Sequence, residues 1–424
     1  MTQQNKQLTF ITVASCIGSM LEMYDFVIYV IFASVISGVF FPHATHYVAI
    51  MQTFGIFAIG YFARPLGGII FGHIGDKYGR QKGLVLSVMC MGIPTFLIGC
   101  LPTYEAIGAL APQLLLVLRF ISGISVGGEF PSGTAYLTEH APVKYRGFIA
   151  SFLFLGINAG ILLASLVGSV ITNSMPSDAI AQWGWRIPFL LGGVLAVLAY
   201  VVRLKLLESP LFEKHKSEQR LAKSPVLSVL HNNSRQITRA FSVVSVMAAA
   251  ISILFLFMPV YLSEHLKLPL GTALSMNSLN LLVFTLLIPI FARLSDLTSR
   301  NFIISIGAYL FLFLSIPLYM AIIEGDAGTR LLAMMSLGVI CATVVGPIAA
   351  TLAERFTTQE RTSGIGLSYN LSFGLVGGLA PLAVTFLIHR THMNVAPAFY
   401  LMLTAAITLM AAINLKDYTR KPMP

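Results

Sequence analysis

Twelve stretches of this sequence are each long and apolar enough to cross a lipid bilayer, and that repetition limits what the chain can become. A span needs about 20 predominantly apolar residues. The runs fall at 10–40, 48–71, 83–102, 111–137, 148–173, 185–206, 237–262, 272–292, 302–323, 330–352, 363–388 and 396–415. Hydrophobic residues make up 56% of the chain and charged ones only 10%, against roughly 25% charged in soluble domains. No water-soluble core could hide that surface, so lipid is the solvent. The expected fold is an all-α membrane protein of twelve transmembrane helices.

Lys and Arg set the orientation. Placing the N-terminus and the even-numbered connections on one side gathers most of the 27 cations there. Lys267, Arg330 and Arg390 fall on the other side, while Arg64, Arg119 and Arg186 lie in spans or at their edges. The positive-inside rule then predicts two cytoplasmic termini. The net charge of +10 is thus a topology signal, and no nucleic-acid partner is expected. One long polar connection divides the chain into an N-terminal six-helix bundle (1–206), a cytoplasmic linker (207–236) and a C-terminal six-helix bundle (237–424). Cys16, Cys90, Cys100 and Cys341 all sit in apolar runs without CxxC spacing, which indicates neither a disulfide framework nor a metal site. The first run has no small-residue cleavage site and reads as a span, not a removed signal peptide.

The two halves echo each other. Gly72–Arg80 reads GHIGDKYGR after span 2, and Ala292–Arg300 reads ARLSDLTSR after span 8. Both place an aspartate four residues before an arginine: Asp76 and Arg80, then Asp296 and Arg300. After spans 4 and 10, Glu139 precedes Arg146 and Glu354 precedes Arg361 by the same seven residues. Six spans separate the copies, so they share one membrane orientation, as in a two-bundle transporter built from parallel repeats. Gly72, Gly75 and Gly79 make the first turn permissive, letting Asp76 meet a helix end or an arginine. These groups form a candidate cytoplasmic gate that latches one conformation.

Further strings carry a family resemblance. Gly72–Gly83 resembles the loop 2–3 motif of the major facilitator superfamily, and RFISG at Arg119–Gly123 resembles its span-4 arginine motif. LEMYDF (Leu21–Phe26), RPLGG (Arg64–Gly68), GGEF (Gly127–Phe130), WGWRIPF (Trp183–Phe189) and LESP (Leu207–Pro210) resemble the metabolite:proton symporter family. With MPVYLS at Met258–Ser263, the resemblance is greatest to the proline/betaine transporters; citrate, 2-oxoglutarate and shikimate transporters share most of the motifs. It implies two pseudo-symmetric six-helix bundles in a bacterial inner membrane. The long cytoplasmic coiled-coil tail of osmosensory members has no counterpart after span 12.

The acids of LEMYDF interrupt a run from Phe10 to Phe41 that holds no other charge. Asp25 lies about 20 Å into span 1, near the bilayer midplane, and Arg119 of span 4 is expected near the midplane too. A lone charge at the bilayer centre costs from about 2.5 to over 10 kcal/mol, so pairing is the cheapest arrangement, and a proton on Asp25 would weaken the pair. Glu22 and Glu129 are alternative proton sites, and Arg64 is offered either to the interface or to Glu129. Tyr24, Tyr29 and Phe130 could cradle an ammonium group by cation–π contact. Asn158, Asn277, Asn280, Tyr369 and Asn370 supply uncharged hydrogen-bonding groups for a small zwitterion.

The expected function is proton-coupled uptake of a zwitterionic osmolyte or amino acid such as proline or betaine, with small carboxylates as the alternative. The expected partners are the small-molecule substrate, protons and the bilayer; the protein is expected as a monomer needing no cofactor beyond the proton. Span 5 carries GINAG (Gly156–Gly160) without the proline of exporter-type motifs. A membrane sensor would not need charges paired at the midplane. Enzyme chemistry finds no nucleophile elbow or phosphate loop, and His43/His46 and His389/His392 read as surface residues in outer loops.

Overall fold

In hydrocarbon a backbone N–H or C=O has no water to turn to, so each crossing segment satisfies its own groups as a helix. The computed structural model describes residues 3–218 and 224–424, and residues 219–223 of the predicted linker lie outside the described residues. Among the described residues, twelve helices are long and apolar enough to cross a membrane. They are α1 (Lys6–Ile31), α2 (His46–Lys77), α3 (Arg80–Cys100), α4 (Leu110–His140), α5 (Val143–Ser174) and α6 (Gly184–Leu204). Then come α7 (Ser234–Glu264), α8 (Gly271–Leu297), α9 (Arg300–Glu324), α10 (Ala327–Ala353), α11 (Arg361–Thr391) and α12 (Ala396–Ile413). Among the described residues there is no strand.

The residues group into two compact units: Met1–His140 with Phe152–Val226, and Ala141–Ser151 with Leu227–Pro424. The start of α5 therefore belongs with the second unit. Short helices at Pro210–Ser217 and Pro225–Asn232 occupy the predicted linker.

Prolines shape the second unit. Both α7 and α11 widen into π-helical turns, at Ser252–Phe257 and Phe373–Gly377, shortly before Pro259 and Pro381. A proline has no N–H for the carbonyl four residues back, and its ring crowds that carbonyl. A wider turn absorbs the misfit. In α7 the orphaned carbonyl is that of Phe255, and Asn277 Nδ2 donates to it at 3.0 Å.

In the first unit, α3 is capped at both ends with charges that suit its dipole. Glu208 accepts from the Arg80 N–H at 2.9 Å at the N-terminus. At the C-terminus, Arg186 donates to the carbonyls of Gly99 and Leu101 at 2.9 and 2.5 Å. Trp185, beside that arginine, is fully buried among Phe40, Phe189 and Ile98. The strings LESP and WGWRIPF thus fix the helix on which two site hydroxyls ride.

Candidate functional site

Asp25 and Arg119 are both buried and meet: Arg119 Nη1 donates to Asp25 Oδ2 at 2.7 Å. The other carboxylate oxygen accepts from Thr95 Oγ1 on α3 at 2.8 Å. The Arg119 guanidinium also sits 4.1 Å above the centre of the Tyr29 ring, a contact that persists if the carboxylate is neutralised. Tyr29 donates its hydroxyl to Thr53 O at 3.1 Å, and Tyr24 donates to Pro188 O at 2.7 Å. Both aromatic rings are therefore anchored at the hydroxyl end.

A second buried ion pair, between α4 and α6, packs against α1 at Gly18. Glu129 is gripped by both terminal nitrogens of Arg203, with Nη1 at 2.9 Å from Oε2, and Ser87 Oγ donates to that oxygen at 2.7 Å. The space for this pair is Gly18: a Cβ there would stand 1.5 Å from Arg203 Nη2. Arg203 is the partner that sequence reasoning missed, because at the end of span 6 it counts as one more cytoplasmic cation. Arg64, the alternative offered for Glu129, is buried instead with its guanidinium 4.9 Å from the Tyr61 ring centre. Glu22 is buried within electrostatic reach of Arg64, Glu129 and Arg203. Its Oε2 has no hydrogen-bond partner among the described residues.

The duplicated loop acids build matching clusters. In the first unit, Arg80 donates to Asp76 Oδ1 at 2.7 Å, to Gly75 O at 2.5 Å and to Glu139 Oε1 at 3.1 Å. Gly79, at φ 125°, makes the turn that aims Arg80, and a Cβ there would meet Glu208. Gly72 and Gly75 are buried along α2. Ser209 donates to Glu139. In the second unit, Arg300 donates to Asp296 Oδ1 at 2.9 Å and to Glu354 Oε2 at 2.8 Å. There Asp296 also accepts from the Gly147 and Phe148 N–H groups, each at 2.9 Å. Arg146 stands seven residues after Glu139 in sequence, yet its partner is Glu354, at 2.7 Å. Arg361 donates to Ala353 O at 3.0 Å and Thr358 Oγ1 at 3.1 Å.

The uncharged candidates are spread over both units. Phe130 packs against Phe154 with centroids 5.3 Å apart, and Asn158 is buried on α5. The Tyr369 and Phe373 rings meet tilted by 37°, centroids 4.5 Å apart, and Asn370 Nδ2 donates to Gly366 O at 2.9 Å. Asn277 uses its amino group on Phe255 O, and its Oδ1 has no partner among the described residues. Both amide atoms of fully buried Asn280 are without a partner among the described residues.

The Major Facilitator Superfamily profile matches residues 15–381. The chain belongs to the major facilitator superfamily. It is a multi-pass membrane transporter. It is 33% identical to the glycine betaine/proline/ectoine/pipecolic acid transporter of Dickeya dadantii, over 97% of this chain and 83% of that one. It is equally 33% identical to the alpha-ketoglutarate permease of Escherichia coli, over 94% of this chain and 91% of that one. Among solved structures, a proton:xylose symporter bound to 6-bromo-6-deoxy-D-glucose aligns with a TM-score of 0.81 at 18% identity, covering 99% and 98% of the two chains. That likeness shows the fold.

In this major facilitator the carboxylate partners Thr95, Ser87 and Ser209 left little trace in sequence. A hydroxyl in a helix usually bonds its own backbone, as Thr95 also does to Met91 O at 2.8 Å. Only the packing of α3 on its neighbours gives Thr95 and Ser87 carboxylates to face, while Ser209 meets Glu139 from the N-cap of the Pro210–Ser217 helix.

Proposed function

We propose that this transporter is a proton-coupled symporter that takes up a small zwitterionic osmolyte or amino acid of the proline/betaine kind. The observation that carries the proposal is the Asp25–Arg119 pair, a buried acid held by one arginine and one hydroxyl. A proton arriving on Asp25 cancels its charge and weakens its bond to Arg119, while Arg119 keeps the Tyr29 face. Proton occupancy then changes which conformation is favoured, as coupling requires. Glu22, one turn along α1 with a buried carboxylate oxygen to spare, relays the proton. Glu129 is held by Arg203, Ser87 and the geometry of Gly18, and serves as the fixed charge against which α1 moves.

The two loop clusters act as the latch. Both termini face the cytoplasm in this reading, and the membrane is a bacterial inner membrane. The uncharged amides and aromatics suit a zwitterion, and the Dickeya relative's name agrees with that class. A second reading, a small carboxylate as substrate, is favoured by the equally similar permease.

Uptake by proteoliposomes under an imposed proton gradient separates the two. Accumulation of labelled proline or glycine betaine, but not of 2-oxoglutarate, citrate or shikimate, is the expected result, and the reverse pattern installs the carboxylate reading. Asp25→Asn should abolish accumulation against a gradient while keeping counterflow. Full proton-driven accumulation by that variant passes the role to Glu22.

A further inference from the structure

The residues after α12 are not a loose end. Asn301 Nδ2 donates to Leu415 O at 2.7 Å, and Arg355 donates to Lys416 O. Asp417 accepts from the N–H and hydroxyl of Thr419, at 2.8 and 2.6 Å. The Thr419 hydroxyl oxygen in turn accepts from the Arg300 N–H at 3.1 Å, at the start of α9. Arg420 then adopts a left-handed backbone, φ 59°, uncommon for a residue with a side chain. That conformation aims its guanidinium at the end of α8, where it donates to Asp296 O at 3.0 Å and Leu297 O at 2.7 Å. A cation on the last carbonyls of a helix is the arrangement its dipole favours. Farther on, Arg146 donates to Lys421 O at 3.3 Å and Arg361 to Pro424 O at 2.9 Å.

This short segment therefore caps both sides of the α8–α9 turn and touches three arginines of the latch: Arg146, Arg300 and Arg361. We propose that residues 416–424 are a strap that positions the second unit's latch, with Arg420 and Thr419 as its positioning residues. The strap fixes the end of α8 so that Asp296 stays aimed at both Arg300 and the Gly147 and Phe148 N–H groups. A strained residue kept at a helix end, where a relaxed one would serve simple packing, marks a position set by the device it supports. The inference rests on the latch reading above.

Amide hydrogen exchange of the full-length protein in lipid nanodiscs tests it, with no substrate required. The Gly147 and Phe148 amides report the latch: they lie on α5 and donate to Asp296, not to a strap residue. Arg420→Ala should speed their exchange about tenfold, the size expected for losing a hydrogen bond from a charged group. Thr419→Val should do the same more weakly, and Thr419→Ser should restore protection. Asp296→Ala is the control for the latch itself. If Asp296→Ala exposes those amides and Arg420→Ala does not, the strap is overturned and the latch stands. If Arg420→Ala changes exchange only within 297–300 and 416–424, the segment is local packing and the inference fails. If neither variant exposes them, the latch reading falls and takes the strap with it.

Discussion

In the first unit Glu22, Asp25, Arg64, Arg119 and Glu129 are buried within spans, with Asp25 paired to Arg119 and Glu129 to Arg203, and hydroxyls of α3 on both acids. In the second unit every Asp, Glu, Lys and Arg of the spans lies close to a span end, and the interior is furnished by Asn277, Asn280, Tyr369 and Asn370. At the α2–α3 and α8–α9 turns the two units nonetheless agree, each with an arginine held between an aspartate four residues earlier and a distant glutamate. A cluster at a helix end is cheap enough to keep twice. A charge inside hydrocarbon costs several kcal/mol unless paired, so it persists only where it is used. On the proposed reading, proton chemistry belongs to the first unit and the second offers uncharged groups to the substrate.

The largest test of that division is Arg119→Ala. It strands Asp25 without its cation, and breaking a buried pair from one side costs about 3–5 kcal/mol. Uphill uptake should vanish and the thermal midpoint in detergent should drop sharply, while Arg119→Ala with Asp25→Asn should recover the midpoint but not the uptake. A double variant no more stable than the single one would show that the pair does not carry the first unit's charge balance.

Gly18→Ala comes next, because its Cβ needs the place of the Arg203 guanidinium. Forcing an extra methyl into a packed site costs roughly 1–3 kcal/mol. The midpoint should fall in wild type and much less in a Glu129→Gln, Arg203→Met background, where the side chains can rearrange.

The matched clusters should respond alike. Asp76→Asn and Asp296→Asn should each slow counterflow about tenfold, with half-saturation unchanged, since hydrogen bonds to a charged group contribute about 1.5 kcal/mol. Unequal slowing would mean the repeat kept its geometry but not its role. Asn280→Leu should then raise half-saturation for the substrate severalfold without touching proton dependence. Its midpoint should hold or rise, because a buried amide with no partner costs stability.

The smallest effect concerns pH. Burial alone would raise the Asp417 carboxyl, but hydrogen bonds from Ser299 and Thr419 and the nearby charge of Arg300 outweigh it and hold it below its ordinary 3.8. Such a group contributes stability above its unfolded pKa and loses it as pH falls through the lower folded one. The midpoint difference between wild type and Asp417→Asn should thus stay constant from about pH 5 to 8 and shrink only below about pH 4. A difference that varies within pH 5–8 would show that the lost carboxylate at position 417 is not held below its ordinary pKa.

The sequence by itself determined the solvent, the twelve spans and the repeat, because apolar length and the recurrence of Asp-x-x-x-Arg are properties of the chain written out in order. It also gave Asp25 to Arg119, since two opposite charges in hydrocarbon at equal depth have few other choices. What it could not assign was any partner that becomes a neighbour only through packing. Arg203 looks like a loop cation until α6 lies beside α1 at Gly18, and Arg146 stands near Glu139 in sequence but bonds Glu354. Asn277 reads as an uncharged group for substrate, and only the tertiary structure sets its amino group on the Phe255 carbonyl four residues before Pro259. The final residues, too polar and few to carry a periodic signal, acquire a place only because two helix ends present N–H and C=O groups for Thr419 and Arg420 to cap. Hydrogen bonds and ion pairs act over about 3 Å, and only the tertiary structure decides which groups come that close.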